Sequence, residues 1–178
     1  MKGIVFTEFF DMVRAKHSED LADELMDTVE SPSQGAYTAV GTYDFRELVA
    51  YVTRYCELTN TSGAEALDAF GYYLFWRFKE GFGHFFAKVE DAFSFLGQIE
   101  DVIHVEVLKL YPDAELPRFE IEHSGDHMLI MRYRSVRRMQ DLAHGLIRAT
   151  VENYGEAIDI ERQPTEDGGE LFTLTRRV

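Results

Sequence analysis

Tyr133, Ser135 and Arg137 occupy alternate positions in the run Tyr-Arg-Ser-Val-Arg. In extended backbone such side chains leave from one face, roughly 6 to 7 Å apart. A phenol, a hydroxyl and a guanidinium in a row make a donor-rich fork suited to one or two carboxylates. The plainer reading is a solvated strand end. His104, in Asp101-Val102-Ile103-His104-Val105-Glu106-Val107, is the second candidate. It reads either as a buried histidine held by one hydrogen bond or as a neutral imidazole offered to a metal. Nothing nearby completes a four-ligand zinc shell.

The remaining chemistry-bearing residues say less. His123 and His127 have HxxxH spacing, but Ser124-Gly125-Asp126 between them reads as a turn, and HExxH is absent. His84 sits between Gly83 and Phe85, His144 in a helix before Gly145, and His17 at a helix end, so all three are weaker candidates. Cys56 is the only cysteine and falls within an apolar helical pattern, so an inert core thiol is expected. No GxSxG elbow, GxxxxGK[ST] loop or GxGxxG fingerprint occurs.

Positioning these side chains falls to two regions of different grammar. From residue 1 to about 60 the pattern is helical: Val5, Phe6, Phe9, Phe10, Met12 and Val13 recur at three- and four-residue spacing. Ser18 offers a cap for a short second helix, and Asp44 caps a third after a loop from Glu30 to Tyr43. A very apolar helix is expected from about Ala64 to Lys79, and another from about Asp91 to Tyr111, closed by Pro112. One histidine beside such aromatic helices suits haem better than a bare ion. After Pro117 the period becomes two, giving a hairpin of Phe119–His123 and Met128–Arg134. A helix from about Val136 to Tyr154 and strands at 157–162 and 170–176 complete the chain. The expected class is α+β: a helical N-terminal subdomain (1–60) and an α+β subdomain (61–178) whose helices pack on a small antiparallel sheet.

Composition narrows the partners. With 178 residues, 46% of them apolar, the chain can bury a sizeable core. Its 18 Lys and Arg against 32 Asp and Glu give a net charge of −14, which disfavours nucleic acid and anionic lipid. No apolar run approaches the roughly 20 residues that span a bilayer. A soluble, cytoplasmic protein with no membrane or nucleic-acid partner is the expectation.

Taken in order, Met1-Lys2-Gly3, an aromatic helix with Phe70-Gly71, Asp101-Val102-Ile103-His104, Pro117 thirteen residues later, and the Tyr133-Arg134-Ser135-Val136-Arg137 run form a pattern. It resembles the haem-nitric oxide/oxygen binding (H-NOX) domain, the bacterial counterpart of the haem domain of soluble guanylate cyclase, across essentially the whole chain. The resemblance implies haem b (iron protoporphyrin IX), with His104 as the axial iron ligand. It implies that Tyr133, Ser135 and Arg137 hold the propionates and that Pro117 presses on the macrocycle. Pro117 serves equally as a strand-entry proline.

The distal side sets which gas is read. Oxygen-holding members of the family carry a tyrosine, a tryptophan and an asparagine where this chain has Leu142, Phe9 and Leu74. With Val5, Phe78 and Leu146 expected nearby, the distal pocket offers no donor. Distal donors are a main control of oxygen binding. The resemblance therefore implies a sensor, not an enzyme, that binds NO and CO and discriminates against O2. Signalling would proceed by weakening of the iron–His104 bond, which frees the 91–111 helix. No kinase, cyclase or response-regulator sequence follows Val178, so a separate effector is expected: a histidine kinase, or a cyclic-di-GMP diguanylate cyclase or phosphodiesterase. The alternatives are a haem-free ligand- or protein-binding module of the same fold and a haem-dependent oxidase. The absence of distal acid or base residues argues against the oxidase.

Overall fold

The computed structural model describes residues 1–87 and 89–177. Four helices come first: α1 (Gly3–Lys16), α2 (Glu19–Thr28), α3 (Phe45–Thr59) and α4 (Gly63–Gly81). Their starts follow from local chemistry. The Ser18 hydroxyl accepts the Leu21 N–H at 3.2 Å, and the Asp44 carboxylate accepts the Arg46 N–H at 2.9 Å. Ser62 and Glu65 form a reciprocal capping box that opens α4. Asn60, in the left-handed region at φ 54°, ends α3.

The apolar stripes of α1, α2 and α3 meet in one core containing Phe6, Phe9, Phe10, Leu25, Leu48 and Tyr51. Ala66, Phe70 and Leu74 of α4 close it, so this packing unit reaches past residue 60. The second core lies between a sheet and helices α6 (Ala92–Gly97) and α8 (Gln140–Asn153). The sheet is antiparallel, with strands β1 (Arg118–Ser124), β2 (Met128–Arg134), β3 (Ile158–Pro164) and β4 (Glu170–Arg176) in the order β1-β2-β4-β3. Leu129, Met131 and Tyr133 alternate inward on β2, opposite Leu174, Phe172 and Glu170 of β4. The fold is α+β, as the two hydrophobic periods require.

Two glycines bring the halves together. A Cβ on Gly71 would stand 2.1 Å from the Leu142 carbonyl oxygen, and one on Gly145 would stand 2.0 Å from that of Asp68. Only residues without a side chain let α4 and α8 cross this closely. No helix among the described residues is long and apolar enough to cross a membrane.

One expected element is divided. The helix expected from Asp91 to Tyr111 is three pieces: α6, a π-helical turn (Ile99–His104) and α7 (Val105–Leu110). The Gln98 carbonyl takes both the Val102 N–H at 2.9 Å and the Ile103 N–H at 3.2 Å, the latter an i to i+5 bond. Apolar spacing does not distinguish this widened turn from an α-turn, because one inserted residue shifts the stripe without erasing it. π-Turns concentrate at functional sites, and this one ends on His104.

Candidate cofactor site

Between the two cores lies a cavity of about 310 Å³, within the usual range of ligand pockets. Its walls come from α1, α4, α8, the π-turn with α7, the short helix α5 (Gly83–Phe86), and the segment from Tyr111 to Pro117. The lining is overwhelmingly apolar, and two of its polar groups could bind a cofactor.

His104 supplies the first. Its side chain is 14% exposed, lines the cavity, and holds the Glu100 carboxylate at Nδ1, 3.0 Å away. Burial pushes the imidazole pKa below its ordinary value, and Glu100 opposes that shift. A ring with Nδ1 engaged keeps Nε2 as its free electron-pair donor. Among the described residues no group of three or more His, Cys, Asp or Glu could hold a metal ion. His104 therefore offers one ligand, as an axial position requires.

Tyr133, Ser135 and Arg137 supply the second, and all three line the same cavity. The backbone differs from the extended run expected. β2 stops at Arg134, and the chain turns over Ser135–Arg138, with the Arg138 N–H on the Ser135 carbonyl at 3.2 Å and Arg138 at φ 49°. The Ser135 hydroxyl accepts the Arg137 N–H at 3.2 Å, a local bond that competes with strand continuation. The three side chains thus converge through a turn, where period-two spacing alone suggests a straight row. Burial pushes the Tyr133 phenol pKa up, with the Ser135 side chain opposing it. Arg137 donates to the Glu115 carbonyl at 2.7 Å and to its carboxylate at 2.9 Å. Its Nε is buried without a partner, although unmet donors at such depth are costly.

Pro117 lines the cavity one residue before β1, so it is both a strand-entry proline and a wall residue. Val5, Leu74, Phe78, Leu142 and Leu146 all line the cavity. Phe9 does not. It is fully buried behind the wall, against Phe10, Tyr55 and Phe70. Helical spacing placed Phe9 one turn from Val5, but α1 directs it into the N-terminal core. The Tyr72 hydroxyl donates to Glu152 at 2.8 Å, away from the cavity, and Tyr73 packs on the N-terminal core.

Sequence reasoning missed several wall residues. Phe82, Phe85 and Phe86 lie beyond the expected end of α4 yet close one side of the cavity. Thr150 is polar and lines it, but its hydroxyl is spent on the Leu146 carbonyl at 2.9 Å. Glu100 and Glu115 were hidden among many surface acids. Only the four-residue interval from Glu100 to His104, the separation of same-face helical neighbours, distinguishes the first.

These groups fit a flat, mostly apolar molecule with a metal centre and an acidic edge. The single imidazole answers the metal, the aromatic and aliphatic walls answer the ring, and the orphaned guanidinium N–H answers a carboxylate.

Comparison with known proteins agrees with this geometry. The sequence matches the family model described as Haem-NO-binding over residues 2–162. No match was found among curated proteins. An Fe(II) unliganded H-NOX protein from K. algicida superposes with a TM-score of 0.94 at 34% identity, covering 100% of this chain and 97% of that one. An H-NOX protein from S. oneidensis in the Fe(II)NO state gives 0.91 at 26% identity, covering 100% of both chains. An H-NOX from Shewanella woodyi in the Fe(II)CO state gives 0.85 at 34% identity, covering 99% of this chain and 95% of that one. The family match and these likenesses converge, and the chain belongs to the haem-NO-binding, or H-NOX, domain family.

Proposed function

We propose that the chain is a haem-based gas sensor that binds NO and CO, discriminates against O2, and signals to a separate effector protein. The observation that carries this reading is that His104 and the Tyr133–Ser135–Arg137 turn line one apolar cavity, with Arg137 Nε buried and unpaired. When bound, haem b would supply a ferrous iron with affinity for diatomic gases.

The chain's residues divide the remaining tasks. His104 would hold the iron from one side through Nε2, and Tyr133, Ser135 and Arg137 would hold the acid arms. Pro117 would press on the ring from the segment that leads into β1. Leu74, Leu142 and Leu146 would face the gas and exclude water, and none carries a hydrogen-bond donor in its side chain. Thr150, the polar neighbour of Leu146, has its hydroxyl proton committed. The wall therefore favours ligands that need no distal donor, which supports NO and CO over O2.

Weakening of the bond to His104 would release the π-turn and α7, giving an element with two positions that a partner can read. The acidic surface suits an effector with a basic docking face. Reconstitution with hemin followed by reduction in air tests the selectivity. No persistent oxygen complex is expected in air, and a long-lived oxygen complex would contradict the reading.

A further inference from the structure

One atom of Glu100 is committed twice. Its Oε1 lies 3.0 Å from His104 Nδ1 and accepts the backbone N–H of Phe119 at 2.8 Å. Phe119 is the second residue of β1, paired across the sheet with Tyr133, and their ring centroids are 5.3 Å apart. A single carboxylate oxygen thus joins the π-turn that carries the imidazole to β1, the partner of the strand β2 that leads into the Ser135–Arg138 turn. Glu100 is partly exposed, with 35% of its side chain accessible, so enclosure does not pin the oxygen where it is. Its 3.0 Å contact with the imidazole and its hydrogen bond from the Phe119 N–H do.

We propose, resting on the haem reading above, that Glu100 is the positioning residue of His104, fixing the proton on Nδ1 and coupling displacement of the imidazole to strand β1 through the shared Phe119 N–H. A carboxylate on the far nitrogen fixes the tautomer and makes Nε2 a stronger donor. When the imidazole moves, the shared oxygen either follows it, stretching the Phe119 bond, or stays and loses the imidazole. The state of His104 is then felt in the sheet as well as along α7.

The test compares wild type, Glu100→Gln and Glu100→Ala, each loaded with hemin and reduced. The resonance Raman iron–histidine stretch and the exchange rate of the Phe119 amide are read. Glu100→Gln is expected to lower the stretching frequency while keeping the amide protected, because an amide oxygen still accepts. Glu100→Ala is expected to lower the stretch and to speed Phe119 exchange about fivefold, the loss of a bond worth roughly 1 kcal/mol. A purely structural carboxylate would change exchange without moving the stretch. In wild type, which needs no variant to fold, adding NO is expected to speed Phe119 exchange. An unchanged stretch in haem-loaded Glu100→Gln, or Phe119 exchange indifferent to NO, overturns the proposal alone. A wild type that shows no Soret band with hemin overturns the haem reading and this proposal with it.

Discussion

Glu115 grips Arg137 twice, through its carbonyl at 2.7 Å and its carboxylate at 2.9 Å, at the edge of the cavity. The Arg137 side chain is only 7% exposed, whereas that of Glu115 is 78% exposed. The guanidinium is buried and the acid faces solvent. On the proposed reading a cofactor carboxylate would seek the donors that Glu115 occupies, and the two carboxylates would compete. Glu115→Gln is expected to accelerate hemin capture, read as the rate of Soret growth on mixing. Slower capture would show that Glu115 holds the cradle in shape instead of contesting it.

Arg137 itself should be costly to lose. A hydrogen bond to a charged group contributes about 1.5 to 3 kcal/mol, so Arg137→Ala should release hemin to an acceptor globin roughly ten- to a hundredfold faster. Release at the wild-type rate would remove Arg137 from the carboxylate site.

Phe9 and Leu142 should behave oppositely, because one is core and the other is wall. Phe9→Ala removes a fully buried ring and is expected to cost about 3 to 5 kcal/mol in urea denaturation. Leu142→Tyr places a phenol at the cavity wall and is expected to lengthen the life of an oxygen complex relative to the wild type. An oxygen spectrum equally short-lived in Leu142→Tyr would mean that distal polarity does not set the selectivity.

The turn between β3 and β4 has an acid signature. The Thr165 hydroxyl, the Gly169 N–H and Arg134 hold the Asp167 carboxyl at about 2, below its ordinary 3.8. A depressed folded pKa contributes stability that is fully present above the ordinary value and lost as pH falls through the folded one. Asp167→Asn should flatten the loss of stability between pH 3.8 and about 2. Carbon NMR titration of the wild-type carboxyl should find its midpoint near the lower figure. A midpoint at the ordinary value would contradict the assigned hydrogen bonds.

Much of this was legible in the sequence because local rules and tertiary demands agreed. The Ser18 and Asp44 caps, the hairpin around Ser124-Gly125-Asp126 and the inward alternation of Leu129, Met131 and Tyr133 are all local signals. The π-turn was not legible, since it depends on two N–H groups sharing the Gln98 carbonyl. The direction of Phe9 was set by where α1 meets α3 and α4, a tertiary fact. Glu100 and Glu115 take their meaning from partners 19 and 22 residues away, and no short motif records such distances.

If His104 holds a haem iron within this cavity, the visible spectrum of the reduced, hemin-loaded chain will record it before and after NO is added. A Soret band that moves to clearly shorter wavelength on adding NO, as loss of an axial imidazole requires, is the predicted result. A colourless protein, or a spectrum and NO response unaltered by His104→Gly, would contradict it.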